Sequence, residues 1–137
     1  MNEGAAMLMG VGVIFIAIFV IIALVITIFY LLNLQNLMKS IKEENREVPP
    51  GNVWLMLIPI FSTIYSFILY PKISASVKKE LESRGEQGDG SKNLGLAVAI
   101  TAALSWVPFL NGIAGLANFI IWIIWWSKTA GYKNKFR

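Results

Sequence analysis

The sequence predicts an all-α integral membrane bundle, with four apolar segments and two amphipathic surface helices. Three observations predict it. The 137-residue chain is 56% hydrophobic and only 15% charged, with a mean hydropathy of +0.63, a balance that belongs to the membrane class. No Asp, Glu, Lys or Arg lies within any of the four apolar segments. The longest of them, residues 5–32, has no polar face at all, whereas a soluble helix would show one.

That first segment, carried to about residue 33, is expected to span with length to spare. A helix of residues 5–32 reaches roughly 42 Å against a hydrocarbon core of about 30 Å, so it should tilt or project. Met1-Asn2-Glu3-Gly4 lacks the Lys/Arg region of a signal peptide, and the apolar run exceeds the usual ~7–15 residues. The segment therefore reads as a true span. Ala6 and Gly10 have the spacing that permits close helix approach.

Residues 34–46 form the first amphipathic stretch. Leu34, Leu37, Met38 and Ile41 keep helical spacing, with Gln35, Lys39, Lys42, Glu43 and Glu44 on other faces. Val48-Pro49-Pro50-Gly51 should stop that helix. The second apolar segment, 53–70, is barely long enough to cross. Trp54 and Tyr70 sit at its ends as interfacial anchors would, and Pro59 should kink it. Ser62, Thr63 and Ser66 give it the most polar middle of the four. They are candidates for lining a pore, unless their hydroxyls bond back to their own helix.

Pro71 should end or bend this helix. Residues 72–84 make the second amphipathic stretch. Its stripe is Ile73, Val77 and Leu81, and the pairs Lys78–Glu82 and Glu80–Arg84 are placed on its wet side. Residues 86–91 read as a flexible loop. The third segment, 94–107, carries Gly95, Ala99 and Ala103 at four-residue spacing, the strongest helix-packing signal in the chain. An uncharged turn, 107–112, leads to the fourth segment, 113–127. There Trp122, Trp125 and Trp126, followed by Lys128, are expected to anchor the membrane interface.

Charge sets the sidedness. The tail has Lys128, Lys133, Lys135 and Arg137 and no acid, so the C-terminus is expected in the cytoplasm and the turn at 107–112 outside. Segment 53–70 leaves two options. If it crosses, there are four spans, with Lys39, Lys42 and Arg46 stranded outside. If it re-enters, every Lys and Arg is cytoplasmic, but irregular backbone then lies at depth. Such backbone is tolerated only inside protein or beside water, and this favours four spans.

The run Arg46 to Phe61 (R-E-V-P-P-G-N-V-W-L-M-L-I-P-I-F), the Ile73–Glu80 stretch and the Trp125–Lys128 ending resemble a group of small, uncharacterised bacterial multi-span membrane proteins. The resemblance covers about residues 34–137. It implies the bacterial inner (cytoplasmic) membrane and carries over no catalytic or ligand residue.

Chemistry is sparse. The absence of Cys and His excludes disulfides, thiol nucleophiles and imidazole chemistry. No catalytic, cofactor or metal constellation emerges. The net charge of +4 suits anionic lipid at span ends rather than nucleic acid. The sequence thus predicts a non-catalytic accessory or packing subunit in the bilayer, self-associating or within a larger membrane complex. A small homo-oligomeric channel lined by the second segment is the alternative.

Overall fold

The computed structural model describes residues 2–136. Among them are four α-helices and two 3₁₀ helices, and no strand. The chain divides into two units, Met1–Tyr30 and Leu31–Arg137.

The first unit belongs to α1 (Glu3–Ser40). Asn2 caps it, its Oδ1 accepting from the Ala5 N–H at 2.7 Å. Every large apolar side chain from residue 7 to residue 29 is exposed; Leu8 reaches 75% and Phe19 73%. Thr27 returns its hydroxyl to the Ala23 carbonyl at 2.8 Å, which hides the one polar group of this stretch from an apolar surround. The unit is therefore a helix apolar on all sides.

The second unit is a helical bundle. It contains the remainder of α1, a 3₁₀ turn at Glu43–Asn45, a 3₁₀ helix at Pro50–Leu57, α2 (Phe61–Ser83), α3 (Lys92–Leu104) and α4 (Asn111–Phe136). Its core takes both stripes that the sequence assigns to surface helices. Leu34, Leu37, Met38 and Ile41 are buried, as are Ile73, Val77 and Leu81. Neither stretch is a separate surface helix. The first is mostly α1 itself, and the second is the continuous latter half of α2, which runs through Pro71.

Arg46 closes the end of α1. Its Nε donates to the carbonyls of Met38 (2.8 Å) and Ile41 (3.0 Å), and its Nη2 to that of Lys39 (3.1 Å). A helix runs out of ladder partners for its last carbonyls, and one guanidinium serves Met38 and Lys39 in the last turn of α1 and Ile41 just past it.

Segment 53–70 is not one span. Pro59 keeps Ile58 extended (φ −77°, ψ 115°), so the 3₁₀ helix stops at Leu57. Ile60 then takes φ 66°, ψ −55°, and the Phe61 N–H reaches the Pro59 carbonyl at 2.6 Å. This is the rare, strained kind of γ-turn, on a β-branched residue. The chain reverses. Asn45 then bonds Glu80 and Ser83, while Glu47 bonds Ser76 and pairs with Lys79. The two flanks of the segment touch, so the segment leaves one end of the bundle and returns to it.

α3 and α4 form a second hairpin. Ser91 meets Tyr132 at 3.2 Å, Gly95 meets Trp125, and the Val98 carbonyl accepts from Asn118 at 2.8 Å. The partners run in opposite order, so the helices are antiparallel. Two helices, α1 and α4, are long and apolar enough to cross a membrane, not the four that the sequence suggests. With 13 residues, α3 reaches only ~20 Å.

The loop before α3 is held, not loose. Gly90 (φ 70°) is buried, and a Cβ there would lie 2.2 Å from the Ser74 carbonyl oxygen. Only glycine permits that approach.

Candidate functional site

The second unit has two chemically distinct ends. Residues 48–71 and 93–127 carry no charge, and the bundle's exposed large apolar side chains, Leu32 of α1 apart, lie between residues 55 and 124. The charged residues occupy the other end.

At the uncharged end, α2, α3 and α4, with Met56 of the 3₁₀ helix, line an open cavity of about 190 Å³. Ser62, Thr63 and Ser66 all line it, joined by Tyr70, Asn118 and Trp122, with Met56, Val98 and Ala102 between them. The three hydroxyls singled out from sequence therefore converge, but in a cavity within one chain. Two of them are committed. Ser66 donates to the Thr63 carbonyl at 2.7 Å, the back-bonding alternative, and Thr63 accepts from the Trp106 Nε1–H at 3.0 Å. The Ser62 hydroxyl makes no hydrogen bond among the described residues; its backbone N–H donates to the Ile58 carbonyl at 2.9 Å. Asn118, which sequence reasoning missed, donates to the Val98 carbonyl (2.8 Å) and to Thr101 Oγ1 (2.9 Å). No carboxylate, ammonium or guanidinium lines the cavity; its polar groups are the hydroxyls of Ser62, Thr63, Ser66 and Tyr70, the Asn118 amide and the Trp122 indole.

The packing residues lie beside it. Gly95 and Ala99 are buried and Ala103 half-buried. A Cβ on Gly95 would stand 3.1 Å from the Trp125 ring and 3.3 Å from the Tyr70 Cβ. The stripe thus lets α3 approach α2 and α4 within the chain. Tyr70 and Trp125 are corrected by this contact. Both are buried in the protein core instead of exposed, with ring centroids 5.4 Å apart and planes tilted by 50°. Trp122 and Trp126 are half-buried and pack on each other at 5.2 Å, and Lys128 is exposed. Trp54 is half-buried and donates to Gln35 Oε1 at 2.9 Å.

At the charged end the central group is Glu80. The sequence places it on the wet side of its helix, but it is fully buried. The signal was present: Glu80 stands seven residues after Ile73 and three after Val77, on the buried stripe itself. Its carboxylate accepts from the Asn45 amide at 2.8 Å, the Lys42 backbone N–H at 3.3 Å and the Arg84 Nε at 3.2 Å. Burial pushes its pKa up. The Asn45, Lys42 and Arg84 donors outweigh that, and the net effect holds it below the ordinary 4.5. Arg84 also donates to the Phe136 carbonyl at 3.1 Å and lies over the Phe136 ring. One carboxylate therefore ties the segment after α1 to α2 and, through Arg84, to the end of α4. Lys78 and Glu82, expected to pair, make no ion pair among the described residues.

A buried polar contact lies deeper. Asn33 donates to Thr129 Oγ1 at 2.8 Å, while its Oδ1 and the Ser74 hydroxyl have no partner among the described residues. No group of three or more His, Cys, Asp or Glu side chains able to hold a metal comes together among the described residues. The chain matches no protein-family model, no curated protein and no solved structure.

Proposed function

We propose that this chain is a non-catalytic integral protein of the bacterial cytoplasmic membrane, acting as a packing or accessory subunit. The observation that carries this is the first unit. A helix whose large apolar side chains are all exposed from residue 7 to residue 29 needs lipid or another helix as its surround. The bundle supports the same reading. Its charged groups gather at one end, and its two hairpins leave that end and return to it. In this reading the uncharged ends enter the bilayer from the cytoplasmic side, and the Lys and Arg residues stay behind with the C-terminal tail.

The test is purification of the full chain in mild detergent, followed by mass measurement and identification of co-purifying chains. The reading expects a homo-oligomer or a complex with an unlike subunit. A monomer without partners contradicts it.

A second reading, a small homo-oligomeric channel, is favoured by one observation. Re-entrant backbone is tolerated where it lines a polar cavity, and Ser62, Thr63, Ser66 and Asn118 line one. Solute flux in liposomes that is lost in Ser62→Leu/Ser66→Leu selects the channel. Co-purification with an unlike subunit, without flux, selects the accessory role.

A further inference from the structure

A cleft at the border between the two ends of the bundle is lined by Lys72, Lys78 and Lys92, with Glu47, Asp89 and the Pro71–Ala75 face of α2. Its volume is about 400 Å³. We propose that it binds the phosphate headgroup of an anionic membrane lipid. The inference rests on the membrane reading above and adds a ligand to it.

The charge balance favours an anion. Three ammonium groups face two carboxylates, and both carboxylates are engaged. Glu47 is paired with Lys79, which holds its carboxyl below the usual range through a hydrogen bond and direct attraction. Asp89 Oδ1 accepts from the Ser91 backbone N–H at 2.9 Å. Lys72, Lys78 and Lys92 make no ion pair among the described residues.

The position favours a lipid over a soluble phosphate. Lys72 is the first charge after the uncharged stretch 48–71, and Lys92 the last before the uncharged stretch 93–127. Both mark the level at which the apolar part of the bundle gives way to its charged part. A bilayer that covers the apolar part sets its phosphates at that level. Lys78 brings a third ammonium to the same cleft, three residues after Ala75 on the same face of α2.

The test compares the intact chain with Lys72→Gln/Lys78→Gln/Lys92→Gln, and with a control of equal charge change, Lys39→Gln/Lys128→Gln/Lys133→Gln. Each is titrated in detergent micelles with phosphatidylglycerol, phosphatidylcholine, glycerol 3-phosphate and inorganic phosphate, and lipid retention is read by native mass spectrometry. At about fivefold per lysine, the cleft variant should retain phosphatidylglycerol roughly a hundredfold more weakly. The control should retain it nearly as the intact chain does, and phosphatidylcholine should bind all three alike. Equal losses in both variants, or no preference for phosphatidylglycerol, overturn the proposal. Binding of the soluble phosphates as tight as that of the lipid overturns the lipid source. Failure of the membrane reading would show separately, as a pure chain that stays dispersed without detergent.

Discussion

The two ends of the bundle hold together by different means. At the charged end, side chains bond across elements to groups that would otherwise be orphaned. Glu80 gathers three donors, and Arg46 binds two carbonyls of α1 and that of Ile41 just past it. At the uncharged end such cross-ties are few, and shape does the work: Gly95 brings a backbone against Trp125 and Tyr70. Water supplies a hydrophobic driving force at the first end. In the proposed membrane reading, lipid as apolar as the side chains supplies none at the second, so close packing must replace it. A defect at the charged end should act through unsatisfied polar groups, and one at the uncharged end through lost fit.

The largest expected effect is at Glu80. Glu80→Ala removes a buried carboxylate from the Asn45 amide, the Lys42 N–H and Arg84, and should cost about 3–5 kcal/mol in denaturant unfolding. Acid should do the same gradually. The folded pKa lies below the ordinary 4.5, so the stabilisation is complete above that value and is lost as pH falls through the folded pKa. Glu80→Gln should lack this acid-dependent component. Equal pH profiles for Glu80→Gln and the intact chain would break the comparison at its polar end.

Gly95→Leu should come next, at about 1–3 kcal/mol, because the added side chain meets the Trp125 ring and Tyr70 where even a Cβ is tight. It should also separate α3 from α4 and quench less of the Trp125 fluorescence through Tyr70. A variant as stable as the intact chain would mean that shape is not what holds this end.

Ile60→Gly should stabilise slightly, by about 1 kcal/mol, since glycine accepts φ 66° without the strain of a β-branched residue. Destabilisation would show that the Ile60 side chain has a packing role that outweighs its backbone. The smallest effect belongs to Glu47→Gln. The Glu47–Lys79 pair is well exposed on both sides, and such pairs are screened by water and salt. Its unfolding midpoint should stay within error of the intact chain.

The sequence makes one hairpin of this bundle far more legible than the other. Uncharged runs, proline and glycine punctuation and the Gly95/Ala99/Ala103 spacing lead directly to the α3–α4 hairpin and its close approach. The reversal at Pro59–Ile60 was not legible in the same way. A proline inside an apolar run signals a kink as readily as a turn, and the γ-turn sits on isoleucine, a residue that rarely takes positive φ. The contacts that fix the reversal, from 42–47 to 76–83, join residues about thirty positions apart (Glu47 to Ser76, for one) and leave no local pattern. The two amphipathic stripes were recognised, but periodicity names a buried face without saying whether lipid or protein covers it. Their cover is the protein core. Glu80 shows the same limit. Its place on the stripe was visible, yet a carboxylate next to an arginine at i, i+4 reads as a surface pair until its other two donors are seen.

The most direct test of the central claim, that segment 53–70 turns back instead of crossing, is labelling of single cysteines in oriented membranes. The chain has no cysteine of its own, and Glu44, Glu82 and Lys128 are exposed. Glu44→Cys, Glu82→Cys and Lys128→Cys, each alone, should react with a membrane-impermeant maleimide from the same side. Reaction of Glu44→Cys only from the side opposite Glu82→Cys would contradict the account.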